Sequence, residues 1–203
     1  MCRRCLHLWI LVFVLIFMVF SPVWASAPMD QLKTTIDKVI AILSDPQLKA
    51  PEKSDEKKQM VRRTVDEIFD WGAFSQRAMA KYWKERTPEE KKDFIILFGK
   101  LLERTYLDKV ENYSGERVKY LEEKIDGKYA IVKTIVLTQG NTEIDVNYRL
   151  REKSGKWMVY DIFIEGVSLV NNYRTQFNDI LLKSSYQELV KRLEEKIAEP
   201  PSE

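Results

Sequence analysis

The sequence predicts an α+β fold in which helices stack on one face of a twisted four-stranded antiparallel sheet, and three observations carry that prediction. Apolar residues recur at helical spacing from Met29 to about Asn112, at a spacing of two from Glu116 to Gly166, and at helical spacing again to Ile197. The turns between the strand-like runs are short and glycine-bearing, so neighbouring strands must be antiparallel: a parallel crossover needs a dozen or more residues. No internal repeat and no long linker interrupts the chain. A leader over 1–27 and one domain over 28–203 are therefore expected, the domain being helical over 28–115, sheet over 116–166 and helical over 167–199.

The elements follow in order. Met29, Leu32, Ile36, Val39, Ile40 and Leu43 form the first apolar stripe, which Ser44-Asp45-Pro46 ends, and a polar loop runs through Glu52. Ser54 is placed as the cap of a second helix carrying Met60, Val61, Val65, Ile68 and Phe69. Gly72 marks a break before a shorter helix with Phe74, Ala78, Met79, Tyr82 and Trp83 on one side. Thr87, Pro88 and Glu90 make a capping box with proline at the first helical position, opening the longest helix with Phe94, Phe98, Leu101, Leu102, Tyr106 and Val110. Strands are predicted over Arg117–Ile125, Lys128–Thr138, Glu143–Leu150 and Lys156–Glu165. In the third, Ile144, Val146, Tyr148 and Leu150 alternate with Glu143, Asp145, Asn147 and Arg149, the pattern of a strand with one wet face. Leu169, Val170, Tyr173, Phe177, Ile180 and Leu181 then make one amphipathic helix. Tyr186, Leu189, Val190, Leu193 and Ile197 make the last, and residues 200–203 are expected to fray.

The first 27 residues read as a secretory leader. Arg3 and Arg4 supply the positive start, Leu8–Phe20 the apolar run, and Ala25-Ser26-Ala27 the small residues at the cleavage site. The run is shorter than the ~20 residues of a spanning helix. Cys2 and Cys5 precede it, where a lipidated cysteine would have to follow. Cleavage after Ala27 would remove both cysteines and the single histidine, His7. An exported domain would remain without thiol, imidazole or disulfide, which excludes cysteine nucleophiles, histidine-dependent triads and Cys/His zinc sites. Loss of Arg3 and Arg4 would bring the 33 Lys and Arg level with the 31 Asp and Glu. A chain of zero net charge has no general pull toward nucleic acid or an anionic membrane surface.

Three segments point further. One is Trp157-Met158-Val159-Tyr160-Asp161-Ile162, then Glu165-Gly166-Val167-Ser168-Leu169-Val170, then Asn172-Tyr173-Arg174 with Gln176-Phe177. The second is Phe94, Phe98, Leu101-Leu102 and Thr105-Tyr106, and the third is Phe69-Asp70 with Trp83 just before Thr87-Pro88. Together, and in this order over nearly the whole chain after the leader, they resemble the MlaC family of periplasmic phospholipid-binding proteins, also called toluene-tolerance auxiliary proteins. The resemblance implies a curved, cone-like sheet similar to that of nuclear transport factors, closed by about six helices around an apolar cavity. It implies a periplasmic lipid carrier and not an enzyme, with no cofactor other than its cargo. The expected partners are a phospholipid, an inner-membrane ABC transporter complex and an outer-membrane lipoprotein complex, met during transient membrane proximity, and the chain is expected to be a monomer.

Under this resemblance Tyr148, Leu150, Tyr160, Ile162 and Ile164 should project from the inner face of the sheet toward Phe94, Phe98, Leu101 and Leu102. Tyr106, Val167, Val170, Tyr173 and Phe177 complete the expected lining. Without it the same residues read as ordinary core. Sheltering two acyl chains of ~15 methylenes each, at ~0.8 kcal/mol per methylene, calls for a dry cavity toward the upper end of the usual ~300–1,000 Å³ range. The donor membrane offers a similar gain, so net transfer is close to balanced.

The polar residues divide two ways. Asp161 reads as a hydrogen-bond acceptor near the sheet edge, or as the acid–base group of a cone-fold enzyme acting on a small apolar substrate. Gly166 suits a sharp strand-to-helix turn and Ser168 a helix cap. The forked donors of Arg174 suit a lipid phosphate, with Asp161, Glu165 and Asp179 as competing partners. The runs Lys53–Lys58 and Lys84–Lys92 read as solvated faces. A hopanoid or single-chain lipid would select similar walls, and a protein-binding scaffold would have a filled interior.

Overall fold

The computed structural model of the chain describes residues 27–111 and 113–199. Residues 1–26, on which the expected leader falls, Asn112, and residues 200–203, the expected frayed end, lie outside the described residues. Among the described residues six α-helices frame the sheet: α1 (Pro28–Ser44), α2 (Ser54–Asp66), α3 (Trp71–Met79) and α4 (Pro88–Glu111) before it, α5 (Leu169–Lys183) and α6 (Tyr186–Ala198) after it. The strands are β1 (Arg117–Asp126), β2 (Tyr129–Leu137), β3 (Glu143–Lys153), β4 (Lys156–Ile164) and β5 (Val167–Ser168). They lie in the order β1-β2-β3-β4-β5, antiparallel throughout.

The local chemistry explains most boundaries. The Thr87–Glu90 capping box forms, Glu90 N–H donating to Thr87 Oγ1 at 3.1 Å and Thr87 N–H to Glu90 Oε2 at 2.9 Å. Ser154-Gly155 and Glu165-Gly166 both hold positive φ at two successive residues, the geometry that matches the twist of a tight hairpin. The second of these turns makes β5, a two-residue strand that adds a fifth member to the expected four.

Four expectations are corrected. Ser54 is the first residue of α2 and not its cap, because a 3-10 turn over Pro51–Lys53 runs directly into the helix. The loop before it holds another 3-10 turn, Pro46–Leu48, capped by Asp45. Ile68 and Phe69 lie beyond the end of α2. There Val159 N–H donates to Ile68 O at 2.7 Å and Asp70 N–H to Val159 O at 2.9 Å, so the segment covers the part of the β4 edge that β5 leaves open. The third helix ends at Met79, where Ala80 takes φ +48°, and a 3-10 stretch carries Tyr82 and Trp83.

The sheet bends at two bulges, at Leu121 in β1 and at Tyr160 in β4. The second overturns the expected parity. Leu150 faces Val159 and Arg149 faces Asp161, so Tyr160 is the additional residue. Trp157, Val159, Ile162 and Ile164 consequently share the inner face, and Tyr160 sits on the outer face against Tyr129 and the Arg77 guanidinium.

Two apolar clusters result. One joins α1 to the sheet through Leu32, Ile68, Ala130, Val132, Leu150, Trp157 and Val159. The other is a helical cluster centred on Phe98, whose ring lies 5.0–5.8 Å from those of Phe74, Phe94, Tyr173 and Phe177. Phe69 and Ile162 touch both.

Candidate functional site

Between the two clusters lies an apolar cavity of about 450 Å³. The sheet contributes Val146 and Tyr148 from β3 and Ile162 and Ile164 from β4. These four pair across the strands, Val146 with Ile164 and Tyr148 with Ile162, so one patch of the inner face is left uncovered. The walls come from Val61 and Val65 of α2, Phe69, Trp71 and Phe74, and Ile95, Gly99, Leu102 and Tyr106 of α4, with Val39, Ile96 and Leu169 at the margins. The hollow exists because α1 closes on the sheet only at the Leu32 end, and the ring cluster holds α4 away from it at the other. Gly99 widens the gap: a Cβ built there meets nothing within 4 Å. The volume falls in the lower half of the usual range, below expectation, because the stacked rings fill part of the space allotted to the cavity.

Apart from the part-exposed Arg62, Asp66 and Glu103, the lining carries no charged residue. Tyr148 is half-buried, its remaining surface turned to the cavity, and burial pushes its phenol up to about 12. Burial, with help from the neighbouring Tyr173, pushes Tyr106 up to about 12 as well. Both stay neutral over the physiological range. Arg62 pairs with Glu103 across α2 and α4 and lies 3.9 Å from Asp66, and all three side chains are part-exposed to solvent. Asp66 also accepts from the Trp71 indole N–H at 2.7 Å.

Of the residues expected to line the cavity, Leu102, Tyr106, Tyr148, Ile162 and Ile164 do so. Phe94, Phe98, Leu101, Val170, Tyr173 and Phe177 form the solid ring cluster, and Leu150 belongs to the cluster under α1. Tyr160 lies on the other face of the sheet, and Val167 is 59 % exposed on β5. Arg174 meets none of the three carboxylates expected: its Nε–H donates to the Arg77 carbonyl at 2.9 Å, in a separate polar recess. Asp161 is fully engaged, accepting from the Ser168 hydroxyl at 2.8 Å and the Val170 N–H at 3.2 Å, while Ser168 caps α5 by accepting from Asn171 N–H. It thereby ties β4 to the start of α5 and faces away from the cavity. The lining of α2 and the Phe69–Phe74 segment escaped sequence reasoning. The signal available was Gly99, an isolated glycine inside a strong helical pattern.

Among the described residues no group of three or more His, Cys, Asp or Glu is placed to hold a metal ion, and no helix is long and apolar enough to cross a membrane. The family model of the MlaC protein matches residues 33–195. The chain belongs to the MlaC family. Its members are periplasmic phospholipid-binding proteins of the Mla pathway, carriers and not catalysts. The chain is 25 % identical over 180 residues to the intermembrane phospholipid transport system binding protein MlaC of Haemophilus influenzae, covering 86 % of this chain and 84 % of that one. It is 25 % identical over 126 residues to the toluene tolerance protein ttg2D of Pseudomonas putida, covering 61 % and 59 %. A solved phospholipid-binding protein of Ralstonia solanacearum, in complex with a phospholipid, superposes with a TM-score of 0.76 at 29 % identity, covering 85 % of this chain and 98 % of that one. The cavity thus sits in an MlaC-type cone whose sheet is open and five-stranded.

Proposed function

We propose that the chain is a phospholipid carrier that buries acyl chains in the cavity between α2, α4 and the inner patch of β3 and β4, then passes the lipid between an outer-membrane lipoprotein complex and an inner-membrane ABC transporter. The observation that carries this reading is an apolar hollow of about 450 Å³ whose charged lining residues, Arg62, Asp66 and Glu103, are part-exposed and paired with one another. Such a site stabilises hydrocarbon by removing it from water and leaves a polar headgroup outside. The Ralstonia solanacearum relative with its bound phospholipid and the Haemophilus influenzae transport protein support the choice of ligand class. Arg62, at the mouth, replaces Arg174 as the cation nearest a headgroup phosphate in this reading. Export with removal of the leader after Ala27 places the carrier where both membranes are reachable.

The test is chemical. Folded protein purified from a bacterial host and extracted with solvent should yield diacyl lipid at near one per chain by mass spectrometry. Gly99→Phe, which sends a ring into the hollow, should lower that yield severalfold at unchanged secondary structure. Lipid-free folded wild type would end the proposal, and a co-purified sterol-like or single-chain amphiphile would replace the ligand class.

A further inference from the structure

The helix α3 has two working faces. Trp71 and Phe74 border the apolar cavity, whereas Ala73, Gln76 and Arg77, with Ala80 just past the helix end, form one wall of a polar recess of about 370 Å³, completed by Arg151 of β3 and Arg174 of α5. Three guanidinium groups line this recess and no carboxylate does. Three arginines from three separate elements converge there, where like charges repel unless something offsets them.

The counter-charge is partial. Asp70, buried beneath the recess, accepts from Arg151 Nε and Nη2 at 3.0 and 2.6 Å and from Lys153 Nζ at 3.2 Å, while its other oxygen accepts from Ala73 N–H at 3.0 Å. One carboxylate is thus shared by two cations and the α3 N-terminus. Arg77 and Arg174 have no ion-pair partner among the described residues. Both are nonetheless held in place: the Arg77 guanidinium lies 4.2 Å from the Tyr160 ring centroid, and Arg174 Nε–H donates to the Arg77 carbonyl at 2.9 Å. Stacking and a backbone anchor fix the planes of two forked donor sets without consuming their terminal N–H groups. The stack depends on the β4 bulge that turns Tyr160 outward, and Ala80 at the rim adopts a φ of +48°. Two departures from regular backbone therefore shape one recess.

We propose that the recess is a binding site for a phosphate-type oxyanion, with Arg77 and Arg174 as its principal ligands and Arg151 as the third. A carboxylate satisfies one fork and one charge. A phosphate offers three or more acceptor oxygens and up to two charges, which suits forks arriving from α3, α5 and β3 at once. The site does not depend on the acyl-chain reading, since α3 separates the recess from the apolar cavity. The oxyanion is either a soluble phosphate or the headgroup phosphate of a lipid surface.

The experiment follows arginine Nε–Hε resonances of the full chain while inorganic phosphate is added at constant ionic strength, alongside co-sedimentation with phosphatidylcholine vesicles with or without phosphatidic acid. Saturable shifts at Arg77 and Arg174, weakened about tenfold or more by Arg77→Gln with bound-lipid content unchanged, support the site. Arg174→Lys, which keeps the charge but loses the fork and the anchor, should weaken phosphate by a similar factor and guards against misfolding in a neutral variant. If phosphatidic acid vesicles also bind, compete with phosphate and lose Arg77→Gln, the source is a lipid surface. If phosphate saturates and vesicles do not compete, it is soluble phosphate. Absence of saturation, equal affinity of Arg77→Gln, or response to a glutamate-rich peptide without response to phosphate each overturns the proposal.

Discussion

Phe98 and Gly99 are neighbours on α4 and meet opposite surroundings. Phe98 is 0 % exposed and surrounded by four other rings, so Phe98→Ala is expected to cost about 3–5 kcal/mol, from lost transfer energy and an uncollapsed void. Ile162 borders a hollow that already exists, so Ile162→Ala forfeits fewer contacts and should cost about half as much or less, while altering lipid content. Urea denaturation of the two variants checks the contrast; equal losses would mean that the cavity is not a cavity. At Gly99, a methyl group enters open space on a helix, and Gly99→Ala is expected to raise stability by about 0.5–1 kcal/mol. Asp70 is the residue on which charge matters most. Burial alone would raise its pKa, but the Ala73 N–H, Arg151 and Lys153 outweigh it and hold the carboxyl below its ordinary 3.8.

Elements in this molecule are joined by side-chain oxygens at their starts. Thr87 caps α4, Ser168 caps α5 and Asp70 caps α3, each accepting from a backbone N–H three residues on. Thr87 is exposed and its box is local, so Thr87→Ala should cost about 1 kcal/mol in thermal or denaturant unfolding and leave the cavity intact. Asp70 caps a helix and neutralises two cations while 4 % exposed; Asp70→Asn should cost about 2–3 kcal/mol and loosen α3 between the cavity and the arginine recess. The bulge in β4 is the element-scale feature with the widest reach. By adding Tyr160 it brings Val159 and Ile162 to the same face, closing the sheet core at one end and leaving the cavity-facing patch open at the other.

For the whole molecule, acid stability reports the Asp70 cluster. Because the folded-state pKa lies below the unfolded one, its contribution is complete above about pH 3.8 and is lost as pH falls through the lower folded value. The stability gap between wild type and Asp70→Asn should therefore hold from neutral pH to about 4 and narrow below 3.8, read by urea unfolding at each pH. A gap that narrows above pH 5 would assign the loss to another group.

The strand meander, the capping box at Thr87 and the helix stripes were legible in the sequence because each rests on interactions within a few residues: period, turn chemistry and caps. The family likeness was legible too, in Trp157–Phe177 above all. Strict alternation through β4 put Tyr160 inside and Val159 outside, since a bulge leaves no mark on apolar periodicity. Phe94, Phe98, Tyr173 and Phe177 could not be sorted from Val61, Val65 and Ile162, because the side chains that fill a core and those that border a hollow are of the same kind. The sequence alone therefore determined which residues avoid water and in which elements they lie. Only the tertiary structure decided where α4 stands off the sheet, and hence where apolar surface is left without a partner, because that gap is set by long-range packing between a ring cluster and a bulged sheet.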